Sequence, residues 1–168
     1  MLAFTVYGVP IPKGSTKAFF RPGMKHPVVT HDNARTKPWQ ESVVSAALDA
    51  VGTLPLGQSA TGDGEPVALE LAFFLPRPKT APKRVVRQVK KPDLDKLVRC
   101  VKDALTRAGV YRDDAQVVRT VATKEFAGGV FDPKGEGGLP RVEVRVAAWA
   151  PIEREETRPQ SSLLELFR

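Results

Sequence analysis

Residues 94–108 carry the clearest pattern in the chain. Leu94, Leu97, Val98, Val101, Leu105 and Ala108 recur at helical spacing and form one apolar stripe. Gly109 is placed to stop that helix. A second helix is predicted over 38–51, where Trp39, Val43, Ala46, Ala47 and Ala50 share a face. Thr36 is its expected cap and Pro38 falls in its first turn. Other segments read as strands. Residues 2–9 alternate loosely and end at Pro10 and Pro12, and Val67–Leu75 is apolar enough for a buried strand, with Glu70 inside it. Residues 116–126 alternate, and so do 141–149, where Val142, Val144 and Val146 share one face. Between these lie a loop over 10–27, a Gly/Ser/Pro-containing loop over 53–66, a basic connector over 76–92 with four prolines, and a glycine-rich connection over 127–140. The order is β-α-β-α-β-β. With short connections around a hairpin, it predicts an α+β fold: a mixed sheet with two main helices packed on it.

The chain of 168 residues is long enough for one domain with a real core, expected over 1–150, followed by a flexible polar tail over 151–168. A net charge of +7 calls for an anionic partner, either nucleic acid or an acidic membrane surface. A membrane surface would want a basic amphipathic helix with aromatics on its apolar face, and the best helix here has none. No run is long and apolar enough to span a bilayer, and residues 1–7 lack the layout of a signal peptide. Cys100 is the only cysteine, so no internal disulfide forms. With two His in the chain no Cys/His zinc site assembles either, and a cytoplasmic setting is expected.

The charge is concentrated. Residues 79–112 contain eleven Lys/Arg against three Asp. Within them lies the unit Lys91-Pro92-Asp93-Leu94-Asp95-Lys96-Leu97, and just beyond comes Tyr111-Arg112-Asp113-Asp114-Ala115-Gln116. On the helical wheel Asp95, Arg99, Lys102, Asp103 and Thr106 lie opposite the apolar stripe. Asp93 and Asp95 converge if the chain enters the helix at Leu94 or Asp95, and the turn after Gly109 brings Asp113 and Asp114 back beside it. Two carboxylates about 5 Å apart repel by about 3 kcal/mol at an effective dielectric of about 20. A divalent cation removes that penalty, and aspartate oxygens without soft ligands suit Mg²⁺ or Mn²⁺. Spacing alone leaves ordinary roles open: Asp93 as a helix cap, Asp113-Asp114 as turn chemistry, Asp95 and Arg99 as a surface ion pair.

The run from Lys91 through Asp103-Ala104-Leu105-Thr106 to Asp113-Asp114-Ala115-Gln116-Val117-Val118 closely resembles the RusA family of Holliday-junction resolvases. Gly8-Val9-Pro10-Ile11-Pro12-Lys13-Gly14 resembles it more weakly. The resemblance implies a dimeric, Mg²⁺-dependent endonuclease, bacterial or phage-encoded and nucleoid-associated, that resolves four-way DNA junctions in recombination and repair. It implies Asp93, Asp95 and Asp114 as metal ligands, choosing Asp114 over Asp113. Arg99 stands where the family has its catalytic lysine. Arginine keeps the charge there but cannot give up a proton, and Lys96 is placed to substitute in part. Lys124 matches a basic position of the family and is expected at the DNA.

Lys13, Lys17, Arg21 and Lys25 are expected to track phosphates, with Lys91 and Arg107 further DNA contacts. Phe19 and Phe20 either wedge between bases at the crossover or pack in the core or a dimer. In the tail, Gln160, Leu163, Leu164, Leu166 and Phe167 look like a sliding-clamp-binding peptide, the alternative being a short helix docking on its own domain. Two other functions fit the same residues: a nuclease preferring flaps or replication forks, and a non-catalytic protein that binds junctions or the clamp.

Overall fold

The computed structural model describes residues 1–14, 16–19, 22–23, 25–26, 28–31, 33–52, 60–62, 64–82, 84–134 and 138–149. Phe20, Arg21 and the tail with Gln160, Leu163, Leu164, Leu166 and Phe167 lie outside these residues, as do the side chains of Lys17 and Phe19.

The fold is α+β, with the expected sequence of main elements. These are β1 (Leu2–Tyr7), β2 (Thr16–Phe19), β3 (Val28–His31), α1 (Thr36–Val51), β4 (Val67–Leu75), α2 (Leu94–Arg107), a single 3-10 turn (Asp114–Gln116), β5 (Val117–Phe126) and β6 (Arg141–Ala148). Four strands form a mixed sheet in the order β1-β6-β4-β5. β4 runs parallel to β5 and antiparallel to β6. A parallel pair needs a long crossover, and here α2 supplies it.

Three local expectations need correction. Residues 10–27 are not all loop, because β2 pairs with β3 in a separate two-stranded sheet. A four-residue strand is too short for alternation to announce it. Thr36 is inside α1 rather than capping it, with Arg35 at the cap position, and its hydroxyl donates to the Pro12 carbonyl at 3.1 Å. β5 and β6, adjacent in sequence, do not form a hairpin. β6 is inserted between β1 and β4, which leaves β5 at the sheet edge.

The core is one-sided. The odd positions of β4 (Val67, Leu69, Leu71, Phe73, Leu75) and the even positions of β6 (Val142, Val144, Val146) are buried with Trp39, Val43 and Ala47 of α1 and with Leu97, Cys100, Val101, Ala104 and Leu105 of α2. Successive strand residues face opposite sides of the sheet, and the other side is polar: Glu70 on β4 reaches toward Arg119 at 3.9 Å and Arg145 at 3.8 Å. α2 ends as its sequence foretold. Gly109 has φ 69°, its N–H donates to the Thr106 carbonyl at 3.0 Å, and the Val110 N–H donates to the Leu105 carbonyl at 3.1 Å, a Schellman closure. The chain is thereby turned sharply into Tyr111 and the second acidic pair.

Candidate active site

Asp93 sits at the cap position of α2 with extended backbone, yet its side chain makes no capping hydrogen bond. Its carboxylate instead lies 3.4 Å from the Lys96 ammonium. Asp95, in the first turn of the helix, lines a cleft with Leu94, Val98, Arg99, Lys102, Asp114 and Ala122. The floor of this cleft is aliphatic and its walls are charged. Asp114 enters from the far side, 3.8 Å from the Lys102 ammonium.

The two residues of the second acidic pair have different tasks. The Asp113 carboxylate accepts from the Ala115 N–H at 2.8 Å. The Gln116 side-chain carbonyl accepts from the N–H groups of Arg112 and Asp113, at 2.9 and 3.1 Å, which completes a capping box. The Gln116 amide donates in turn to the carbonyls of Gly62 and Glu65, at 3.1 and 3.0 Å. Asp113 is thus committed to the turn, and Asp114 is presented to the cleft.

Tyr111 joins the two halves of the site. It is fully buried, and its hydroxyl donates at 3.1 Å to the Lys102 carbonyl, which also accepts from the Thr106 hydroxyl at 3.2 Å. Burial first, and the Asp114 charge second, push its phenol well above the usual range, so it stays a neutral donor. Cys100 is pushed up to about 12 by burial and then by the Asp103 charge, against an opposing effect of Lys13. It is an inert core thiol and no nucleophile.

Several expected DNA contacts have structural partners. The Lys13 ammonium is paired with Asp103, and its backbone N–H donates to the Lys96 carbonyl at 2.9 Å, fastening the N-terminal loop to α2. The Lys124 ammonium donates to the carbonyls of Lys90 and Pro92, at 2.9 and 2.8 Å, holding the segment that leads into Asp93. Lys25, Lys91 and Arg107 are exposed. Lys102 is the cleft residue that the sequence reading placed on the right helical face but assigned no role. Its positions seven after Asp95 and three after Arg99 were the available signal.

The sequence profile described as "Endodeoxyribonuclease RusA" matches residues 9–147. The chain belongs to the RusA family. A RusA-family chain this size also has a relative in Bacillus subtilis (strain 168), the "Uncharacterized protein YqaN", 30% identical over 156 residues that cover 86% of this chain and 94% of that one. No helix among the described residues is long and apolar enough to cross a membrane.

RusA membership implies a divalent metal, and the donor set answers to it in part. Asp95 and Asp114 offer hard carboxylate oxygens in one cleft, which suits Mg²⁺ or Mn²⁺. The expected trio is not assembled: among the described residues no three His, Cys, Asp or Glu stand close enough to share one ion. The helix supplies the reason. Along the α2 axis Asp93 lies about 13.5 Å and Asp95 about 10.5 Å from Lys102, at 1.5 Å per residue, whereas Asp114 meets α2 at the Lys102 ammonium.

Proposed function

We propose that this RusA-family protein is a Mg²⁺-dependent endonuclease that resolves four-way DNA junctions by paired nicks in opposed strands. The observation that carries the reading is the shared cleft of Asp95 and Asp114, walled by Arg99 and Lys102 and set in a chain of net charge +7. Carboxylates set among basic side chains are suited to hold a cation against a phosphodiester.

Asp95 and Asp114 would hold the ion, and Asp93 stays at the helix entry beside Lys96. When bound, the ion supplies Lewis acidity at the phosphate. The chain's own residues bind and orient the strand. Arg99, on the exposed rim, forks onto non-bridging oxygens without moving a proton. Lys96 neutralises Asp93. The aliphatic floor of Leu94, Val98 and Ala122 limits water behind the phosphate. A four-way junction is approximately two-fold symmetric, and a C₂ homodimer would offer two clefts in matching relation. Exposed Lys25, Lys91 and Arg107 are the proposed phosphate contacts, with Lys17 and Arg21 beside them in sequence. The tail peptide Gln160 to Phe167 is proposed as a sliding-clamp anchor, and clamp affinity equal with and without residues 160–168 would remove that part.

The test is nicking of a panel containing a four-way junction, a flap, a fork and linear duplex, in Mg²⁺ and in EDTA. Paired Mg²⁺-dependent cuts in the junction are expected. Preference for the flap or fork would change the substrate, and junction binding without any nicking would make this a non-catalytic binding protein.

A further inference from the structure

Lys102 is the more enclosed partner of its pair with Asp114: its side chain is 21% exposed, against 53% for Asp114. Its turn of α2 is fixed from behind, since the Tyr111 and Thr106 hydroxyls both donate to its carbonyl. Tyr111 is also the residue from which the chain runs on to Asp114, so one buried side chain sets both partners of the Lys102–Asp114 pair. The ammonium lies 3.8 Å from the carboxylate oxygen Oδ2 of Asp114. A divalent cation held at Asp114 and the Lys102 ammonium would therefore compete for one acidic group. The lysine stem is flexible and its charge compact, so it is able to leave Asp114 and remain in the cleft.

We propose that Lys102 is a placeholder for the divalent cation at Asp114 and, once displaced, a catalytic residue that contacts a non-bridging oxygen of the scissile phosphate. This rests on the nuclease reading above and deepens it. The bond from phosphorus to the attacking water oxygen forms, the bond to the leaving sugar oxygen breaks, and the protons lost by the water and gained by the leaving oxygen are exchanged with solvent. Lys102 contributes charge only, aimed where negative charge accumulates. Lys96, turned to Asp93, and Arg99, on the exposed rim, are less suited to that place.

The test uses the full chain with Lys102→Met and Lys102→Arg. Mn²⁺ binding to the protein without DNA is read from the free-ion electron paramagnetic resonance signal. Lys102→Met is expected to bind Mn²⁺ about fivefold more tightly, the scale of a partly exposed ion pair. At saturating Mn²⁺, its single-turnover junction cleavage is expected to fall about 100-fold, as for loss of one transition-state donor, with junction affinity in Ca²⁺ unchanged within about threefold. Lys102→Arg is expected to recover most of the cleavage. Unchanged or weaker Mn²⁺ binding in Lys102→Met overturns the placeholder role, and undiminished cleavage at saturating metal overturns the catalytic one. Should the unsubstituted protein nick no branched DNA, the nuclease reading falls, and the Mn²⁺ comparison still decides whether Lys102 holds the ion's place.

Discussion

Two neighbouring aspartates with opposite duties make the sharpest residue-scale contrast. Asp113 spends its carboxylate on the Ala115 N–H, while Asp114 faces the cleft. Asp114→Asn is expected to abolish nicking while leaving junction binding intact or tighter, since a negative charge facing DNA is lost. Asp113→Ala is expected to cost about 1 kcal/mol of stability, the usual value of a cap, and to leave cleavage within a few fold. Gel shift, nicking and thermal melts on the two variants separate the roles, and equal loss of cleavage in both would undo the division. A second residue pair bears on stability alone. Arg141, fully buried, donates to both Asp132 oxygens at 3.0 and 2.6 Å and to Glu143 at 2.7 Å, and stacks 3.8 Å from the Phe74 ring centre. This pair closes the glycine-rich connection that the sequence left without an organising feature. The Arg141 guanidinium, with help from the N–H groups of Gly128 and Lys134, holds the Asp132 carboxyl well below its usual 3.8 despite burial. The folded form thus binds the proton more weakly than the unfolded chain, so this stabilisation is complete above pH of about 4 and fades as pH falls further. Asp132→Asn is expected to cost about 3–5 kcal/mol at neutral pH, by stranding a buried guanidinium, and to flatten the loss of stability between pH 4 and 2. Urea melts at pH 7 and pH 3 measure both, and an unchanged acid limb would reject the assignment.

Among the elements, α2 was the most legible, because its apolar stripe, its terminating glycine and its polar face are all local properties of one segment. The sequence placed Leu97, Val101, Leu105 and Ala108 in the core and put Asp95, Arg99 and Lys102 on one side, but it passed over the buried Cys100 and Ala104 and counted Leu94 and Val98, which are half-buried and line the cleft. Spacing brought Asp113 and Asp114 back beside it but could not say which of the two enters the cleft, because the reach of Asp114 depends on Tyr111, Gln116 and the loop at 62–65, which are brought together only by folding. Strand pairing was illegible for the same reason. Alternation marks β5 and β6 as strands but does not tell them to separate, and β2 and β3 are too short to show any period. Lys124 illustrates the point at the scale of an element. It was expected at the DNA because it matches a basic position of the RusA family, yet its ammonium grips two carbonyls of the segment that delivers Asp93. Lys124→Met is expected to speed amide hydrogen exchange at residues 93–95 and to lower cleavage by about tenfold, the low end for loss of a supporting contact at a metal site. Junction affinity should stay within about threefold. A loss of affinity matching the loss of cleavage, with exchange unaltered, would return Lys124 to the DNA surface.

For the molecule as a whole, the question is how much of its positive charge is available to a polyanion. Net charge counts every cation equally, but the fold does not. Lys13 is tied to Asp103, Arg87 to Glu125, Lys124 to backbone carbonyls and Arg141 to a buried carboxylate, all internal tasks. Lys25, Lys91 and Arg107 are exposed, and so are Lys37, Lys79, Arg84, Lys90 and Arg99. Each phosphate neutralised on duplex DNA contributes about −0.9 to the slope of log affinity against log salt concentration. The slope for junction binding is therefore expected to be steep, and to report the exposed set rather than the total of Lys and Arg. Lys91→Ala and Arg107→Ala should each make it shallower by about one. Lys13→Ala should leave the slope unchanged and show itself as a lower melting temperature, since its loss unfastens the N-terminal loop from α2 and leaves Asp103 unpaired. Titrating junction binding between low and near-physiological salt for the three variants distinguishes exposed from committed cations. A flat response in the unsubstituted protein would mean that its basic surface is not what holds DNA, and a slope change for Lys13→Ala equal to that for Lys91→Ala would mean that the Lys13–Asp103 pair opens on binding.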